Sequence, residues 1–226
     1  GCSMADMANL AKVERSRREL SKILDFDATI TPVTYINSAA DLKAFCGEHG
    51  GIVCTSTNAP KILEWAFQQR EKVLFFPDQN LGRWSGYKMG IPLEQMPVWD
   101  PDLPMGGLSE ERIKQAKILL WKGHCAVHQM FREQNITRFR EQYPEGKVIS
   151  HPECPFEVCL HSDFVGSTEY ILKTVNEAAP GTQWLVGTEL NLVNRLAEQM
   201  QAQNKLVQFM SHVVCECSTM ARIDPQ

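Results

Sequence analysis

The chain has 226 residues, 43% hydrophobic and 22% charged, with a net charge of −4. That is enough apolar content for one or two α/β domains, while the acidic balance argues against nucleic acid or an anionic membrane surface as a partner. Apolar runs of a few residues fall far short of the roughly 20 that cross a bilayer.

The first stretch, GCSMADMANLAKVERSRREL, lacks the basic-then-apolar pattern of a secretory leader. A soluble, cytoplasmic protein is therefore expected. Its eight cysteines then point to metal binding, a reactive thiol or burial, since cytosolic thiols stay reduced.

In chain order, the pattern predicts a helix over 7–23, a strand over 31–36, a helix over 39–45, a strand over 51–54, a helix over 59–69 and a strand over 72–76. Prolines at 92, 97, 101 and 104 mark a loop over 92–107. Ser109 followed by Glu110 and Glu111 opens a predicted helix over 109–121. There follow a helix over 129–143, strands over 147–150 and 163–165, a helix over 169–178, a strand over 183–186 and a helix over 190–202. Alternating short strands and helices imply an α/β fold with parallel sheets.

An internal repeat underlies this order. VTYINSAADLKAF, GIVCTSTNAPKIL and KVLFFPDQNLG are echoed by VISHPECPFEVCL, DFVGSTEYIL and QWLVGTELNLV. The Val53-Cys54-Thr55-Ser56 and Val165-Gly166-Ser167-Thr168 segments lie 112 positions apart, and Pro77-Asp78 and Gly187-Thr188 lie 110 apart. The boundaries expected are a remnant at 1–9 carrying Cys2, repeats over 10–125 and 126–216, and a segment over 217–226 carrying Cys217. Cys2 and Cys125 each precede a helix that feeds the first strand of a repeat, and Cys217 follows the second. Three thiolates meeting at a pseudo-threefold centre suit an iron–sulfur cluster with no fourth protein ligand.

Single motifs leave alternatives open. Trp121-Lys122-Gly123-His124-Cys125-Ala126-Val127-His128 reads as a thiolate ligand in a glycine turn, as a buried cysteine, or as a catalytic cysteine beside histidine. A zinc site of Cys154, Cys159, Cys215 and Cys217 is conceivable, although C-x₄-C with C-x-C is poor geometry for it. Cys46, Cys54, Cys154 and Cys159 are expected to be structural.

His151 and Glu153 end a strand, where open α/β sheets place ligands, and Tyr35 and Asn37 hold the matching place in the first repeat. Thr55-Ser56 and Ser167-Thr168 follow strands and open helices. They read either as N-caps or as a pair of sites for a ligand with two anionic groups. Asp78 and Glu189 end the third strands and read as turn acids or caps.

The segments GCSMAD, TYINSAADLKAF, VCTSTNA, FFPDQNLG, WKGHCAVH, VISHPEC, DFVGSTEYI, VGTE and CSTM occur here in an order that resembles the quinolinate synthase family across nearly the whole chain. The resemblance implies repeated three-layer αβα domains with short parallel sheets around a pseudo-threefold axis. It implies a [4Fe–4S] cluster held by Cys2, Cys125 and Cys217, with Cys217 preferred to Cys215 because Cys217-Ser218-Thr219-Met220 matches the family's C-x-x-M.

The implied activity is condensation of iminoaspartate with dihydroxyacetone phosphate and dehydration to quinolinate, a step in NAD biosynthesis. The resemblance gives Tyr35, His151 and Glu153 catalytic roles. Tyr35, Asn37, Ser56, His151, Glu153, Ser167 and Thr168 would bind substrate, and an aspartate-oxidising enzyme becomes a functional partner. The family's first domain and C-terminal end are expected to be missing from these residues. The alternative reading is an inactive truncated homologue that binds a cluster or metal without turnover, and a third is a zinc- or iron-binding structural protein.

Overall fold

The computed structural model describes residues 2–211 and Cys217 and divides into two compact units, one ending at His124 and the other starting at Cys125. The first contains α1 (Leu10–Leu20), α2 (Phe26–Thr29), β1 (Ile30–Tyr35), α3 (Ala40–Glu48), β2 (Ile52–Cys54), α4 (Ala59–Gln69), β3 (Lys72–Phe76), α5 (Gln79–Lys88), β4 (Val98–Trp99), α6 (Glu110–Gln115) and β5 (Ile118–Trp121). Its strands pair in parallel in the order β2-β1-β3-β5-β4.

Sheets of this kind are covered on both faces, so their strands are continuous apolar runs. KVLFF of β3 and ILLW of β5 are buried throughout. Alternation sends successive side chains to opposite faces. Ile30, Leu74, Phe76, Leu119 and Trp121 share a core with Val13 and Leu20 of α1, Phe26 of α2, Phe45 of α3 and Ile113 of α6.

The other face carries α4 and α5. Thr31 Oγ1 donates to Ala66 O of α4 at 3.1 Å. In α5, an added Cβ at Gly82 would lie 2.7 Å from Phe75 and Leu120, and one at Gly86 would lie 2.8 Å from Ile118. These two glycines let the helix backbone press onto the sheet. The result is a three-layer αβα unit.

The second unit contains α7 (Glu133–Gln142), β6 (Lys147–Ser150), α8 (Phe156–His161), β7 (Phe164–Val165), α9 (Thr168–Glu177), β8 (Gln183–Gly187), α10 (Leu190–Met200) and β9 (Leu206–Phe209). Its strands are also parallel, in the order β7-β6-β8-β9. Ile149, Val186 and Val207 pack against Ile171 and Val175 of α9 and Val193 and Leu196 of α10. On the opposite face Ser150 Oγ meets Cys159 Sγ of α8 at 3.9 Å.

The strand order β2-β1-β3-β5 of the first unit recurs as β7-β6-β8-β9. The helix after the third strand is capped by an acid in both: Asp78 accepts from Leu81 N at 2.8 Å and Glu189 from Leu192 N at 3.0 Å. Asp78 is fully buried, a cap rather than a solvated turn acid.

The sheet corrects three readings. The helix expected over 109–121 stops at Gln115, and 118–121 is the strand β5. Ala116 is extended (ψ 140°), and Lys117 N donates to Gln95 O at 2.8 Å, which opens the strand. The proline-rich loop over 92–107 contains the edge strand β4. Helix α5 and strand β9 lie where no element was expected, whereas α8 is the helix that the repeat placed after its first strand. Among the described residues, no helix is long and apolar enough to cross a membrane.

Candidate functional site

Parallel strands deliver their functional side chains at the carboxyl ends, where the chain leaves the sheet. In the first unit Tyr35 is the last residue of β1, 5% exposed and in register with Cys54 of β2. Asn37 lies two residues beyond it and is exposed. Ser56 is half-buried in the β2–α4 turn.

The Thr55-Ser56 pair does not open α4 directly. Thr55 N donates to Asn58 Oδ1 at 2.7 Å, Asn58 N donates to Thr55 Oγ1 at 3.3 Å, and the helix begins at Ala59. Cys2 lies at a short turn, its carbonyl accepting from Ala5 N at 2.9 Å. Near the end of the unit, Gly123 O accepts from Gln79 N at 2.9 Å, and Trp121 Nε1 donates to Met7 O at 3.0 Å. Gly123 has no room for a side chain, since a Cβ there would lie 2.2 Å from Pro77 O.

The second unit gathers the densest chemistry. His151 follows β6 directly, and its amide donates to Gly187 O of β8 at 2.9 Å, so the sheet fixes its backbone. Pro152 and Glu153 continue into a turn closed by Cys154 N donating to His151 O at 2.9 Å. Both His151 and Glu153 are buried.

His151 Nδ1 lies 3.1 Å from Glu153 Oε2, and the Glu153 amide reaches the same nitrogen at 3.4 Å. The shorter contact assigns the Nδ1 proton to the carboxylate. Burial raises the Glu153 carboxyl, but the hydrogen bond and charge of His151, together with His128, outweigh it and hold the group below its ordinary value.

His128 completes the cluster. It begins a short 3-10 turn, His128–Met130, after Cys125. Its ring stacks on that of His151 with centroids 4.8 Å apart at 25°, and its Nδ1 lies 3.6 Å from Glu153 Oε2. Neither ring nitrogen makes a hydrogen bond among the described residues. Burial pushes this imidazole down to about 4, and the attraction of Glu153 does not overcome it. His128 is therefore neutral near pH 7.

Cys125, His128 and Glu153 each offer a ligand atom, and these atoms all lie within 4.8 Å of one another. They form a group that could hold a metal ion.

The third strand-end segment is Ser167-Thr168. Ser167 is buried and caps α9 by accepting from Tyr170 N at 3.4 Å, whereas Thr168, its first residue, is exposed. Thus His151 and Glu153 stand together in the second unit, with Ser167 and Thr168 after the neighbouring strand. Tyr35, Asn37 and Ser56 belong to the first unit.

The cysteines sort by exposure. Cys46, Cys54, Cys154 and Cys159 are buried, whereas Cys2, Cys125 and Cys217 are partly exposed. Burial pushes the Cys46 thiol up to about 12 and also raises Cys54 and Cys154 well above the ordinary thiol range. Cys154 Sγ donates to Gly187 O at 3.4 Å and Cys159 Sγ to His151 O at 3.6 Å, so both act as small buried donors beneath the His151 turn. Cys215, the alternative to Cys217, lies outside the described residues.

His128 is the residue whose part the sequence reading left unstated. Its signal was present in the C-x₂-H spacing from Cys125, which puts the two donors within reach of one ion.

A family profile described as Quinolinate synthetase A protein matches residues 1–226. Among curated relatives, a quinolinate synthase of Rhodopirellula baltica is 55% identical over 99% of this chain and 57% of its own length. One of Herpetosiphon aurantiacus is 53% identical over 100% of this chain and 60% of its own. A third, of Corynebacterium glutamicum, is 49% identical over 100% and 56%. The chain thus spans somewhat over half the length of these relatives.

Proposed function

Since the chain belongs to the quinolinate synthetase A family, we propose that it supplies two αβα units of a quinolinate synthase, which condenses iminoaspartate with dihydroxyacetone phosphate and dehydrates the product to quinolinate. The observation that carries this reading is the buried His151–Glu153 pair at the carboxyl end of β6, with a partly exposed cysteine, Cys125, in the same unit. A buried carboxyl held below its ordinary value beside a buried imidazole at a strand end is a usual mark of acid–base chemistry.

Cys2, Cys125 and Cys217 would hold a [4Fe–4S] cluster. The donor chemistry fits, because these three thiols are partly exposed while the other described cysteines are buried, and burial raises the proton affinity of Cys46, Cys54 and Cys154. When bound, the cluster supplies an iron corner without a protein ligand, which accepts electron density from substrate oxygen or nitrogen.

The chain's own residues do the rest. Dehydration needs a proton removed from the substrate and another delivered to the departing hydroxyl. Glu153, held ionised against burial, aligns the His151 ring through Nδ1 and leaves Nε2 for proton transfer. Tyr35, buried at the end of β1, adds a phenolic donor. Asn37, Ser56, Ser167 and Thr168 supply amide, hydroxyl and backbone N–H donors for carboxylate and phosphate oxygens. We further propose the boundaries 1–9, 10–125, 126–216 and 217–226, a cytoplasmic location, and supply of iminoaspartate by an aspartate-oxidising enzyme.

The test is anaerobic reconstitution of the chain with iron and sulfide, followed by visible spectra, iron content and quinolinate formation. A brown protein with about four irons per chain is expected, with colour lost in Cys125→Ser and kept in Cys159→Ser. Colour that survives Cys125→Ser refutes the ligand assignment. A loaded protein that makes no quinolinate favours the inactive homologue.

A further inference from the structure

We propose that the cluster-free chain holds one divalent transition-metal ion, of the zinc or iron(II) class, between Cys125 Sγ, His128 and Glu153. This site lies wholly within the second unit and does not use Cys2 or Cys217. It overlaps the proposed three-cysteine cluster only at Cys125.

Two separate observations point to it. The first is the donor set: a thiol, an imidazole and a carboxylate with ligand atoms within 4.8 Å of one another. Thiolate, imidazole and carboxylate together match the borderline-soft preference of zinc and its neighbours, whereas calcium and magnesium favour oxygen alone. The His128 Nδ1–Glu153 Oε2 separation of 3.6 Å is close to the roughly 3.3 Å spanned by two donors bound at about 2.0–2.1 Å to a tetrahedral ion.

The second is the state of His128. It is 6% exposed, and neither ring nitrogen makes a hydrogen bond among the described residues. A buried imidazole without such a partner is costly, and a metal ion would satisfy one nitrogen directly.

The surroundings agree. His151 Nδ1 contacts Glu153 Oε2 at 3.1 Å, the outer contact that orients a metal-bound carboxylate. Cys125 is partly exposed and gives the ion an entry side, while His128 and Glu153 form the buried wall. Three protein ligands leave a fourth position for water, which is the arrangement of exchangeable rather than closed structural sites.

Binding releases the Cys125 thiol proton to solvent and involves no electron transfer. Because Cys125 cannot serve both occupants at once, a bound ion and the cluster exclude each other.

The experiment uses the cluster-free chain, prepared anaerobically with chelator and then freed of it, and titrated with cobalt(II) and then zinc(II). Expected are one cobalt per chain, a thiolate-to-cobalt charge-transfer band, d–d intensity typical of four-coordination, and displacement by one zinc. The band should persist in the Cys2→Ser/Cys217→Ser double variant, which abolishes the cluster, and vanish in Cys125→Ser. His128→Ala and Glu153→Gln should each weaken cobalt binding at least tenfold, with far-ultraviolet circular dichroism confirming the fold. A band that survives in Cys125→Ser, or that disappears in the double variant, overturns the assignment.

Discussion

Gly123 stands two residues before Cys125, and its replacement by alanine tests whether the structure sets that turn. A Cβ there would lie 2.2 Å from Pro77 O, about 1.2 Å short of the 3.4 Å at which ordinary contact begins. Pro77 O is backbone, so no side chain can swing away and the 121–124 segment must shift instead. The shift stretches the bond from Gln79 N to Gly123 O, now 2.9 Å, at about 0.5–1.5 kcal/mol. Crowding a packed interior adds about 1–3 kcal/mol.

The expected destabilisation is about 2–4 kcal/mol, which at a urea slope of about 2 kcal/mol/M moves the midpoint down by about 1–2 M. The comparison variant is Gly47→Ala in α3, where a Cβ meets nothing within 4 Å. It should gain about 0.5–1 kcal/mol from helix propensity. Urea unfolding followed by tryptophan fluorescence measures both. A Gly123→Ala midpoint equal to wild type refutes the reasoning.

Lys205 is buried, and its Nζ donates to Val175 O and Asn176 O at 2.8 Å each, capping the end of α9. Lys205→Met should cost about 2–4 kcal/mol by leaving those carbonyls without donors, measured as a loss in urea midpoint. Brief alkylation of the native, metal-free chain should label Cys2, Cys125 and Cys217 and spare Cys46, Cys54, Cys154 and Cys159, as read by peptide mass spectrometry. The buried thiols resist both by access and, for Cys46, by a proton affinity near 12. The hydrogen bond from Lys122 Nζ to Asp100 Oδ2, 2.6 Å, holds the Asp100 carboxyl below its ordinary value. A depressed carboxyl stabilises the fold above its unfolded value near 3.8 and loses that contribution as pH falls through the folded value. Asp100→Asn should therefore narrow the stability difference between pH 6 and pH 3 in urea unfolding, and an unchanged difference contradicts the pairing.

Much of the fold was legible because parallel strands advertise themselves as apolar runs, and β3 and β6 lie where KVLFF and KVIS predicted them. The same property hid β5. ILLW continues the apolar pattern of α6, and a short run of that kind does not distinguish strand from helix. Helix α5 contains Gly82 and Gly86, residues of low helix propensity that here serve as close-packing positions against the sheet. In the candidate site, His151 and Glu153 were visible from their strand-end spacing. The stacking of His128 on His151 was not, because it depends on how a turn far upstream in sequence returns to that strand.

The strand ends of the second unit differ in charge. Lys147 begins β6 and Lys205 immediately precedes β9, whereas the residues leaving the strands are His151, Gly166, Ser167, Thr188, Glu189, Met210 and Ser211, with no lysine or arginine among them. An anion gripped at the carboxyl edge would be met by amide dipoles and imidazole at short range instead of by mobile ammonium groups. Dissolved salt screens such contacts weakly. Attraction at this edge should therefore persist at ionic strengths that would dissolve a lysine-based grip.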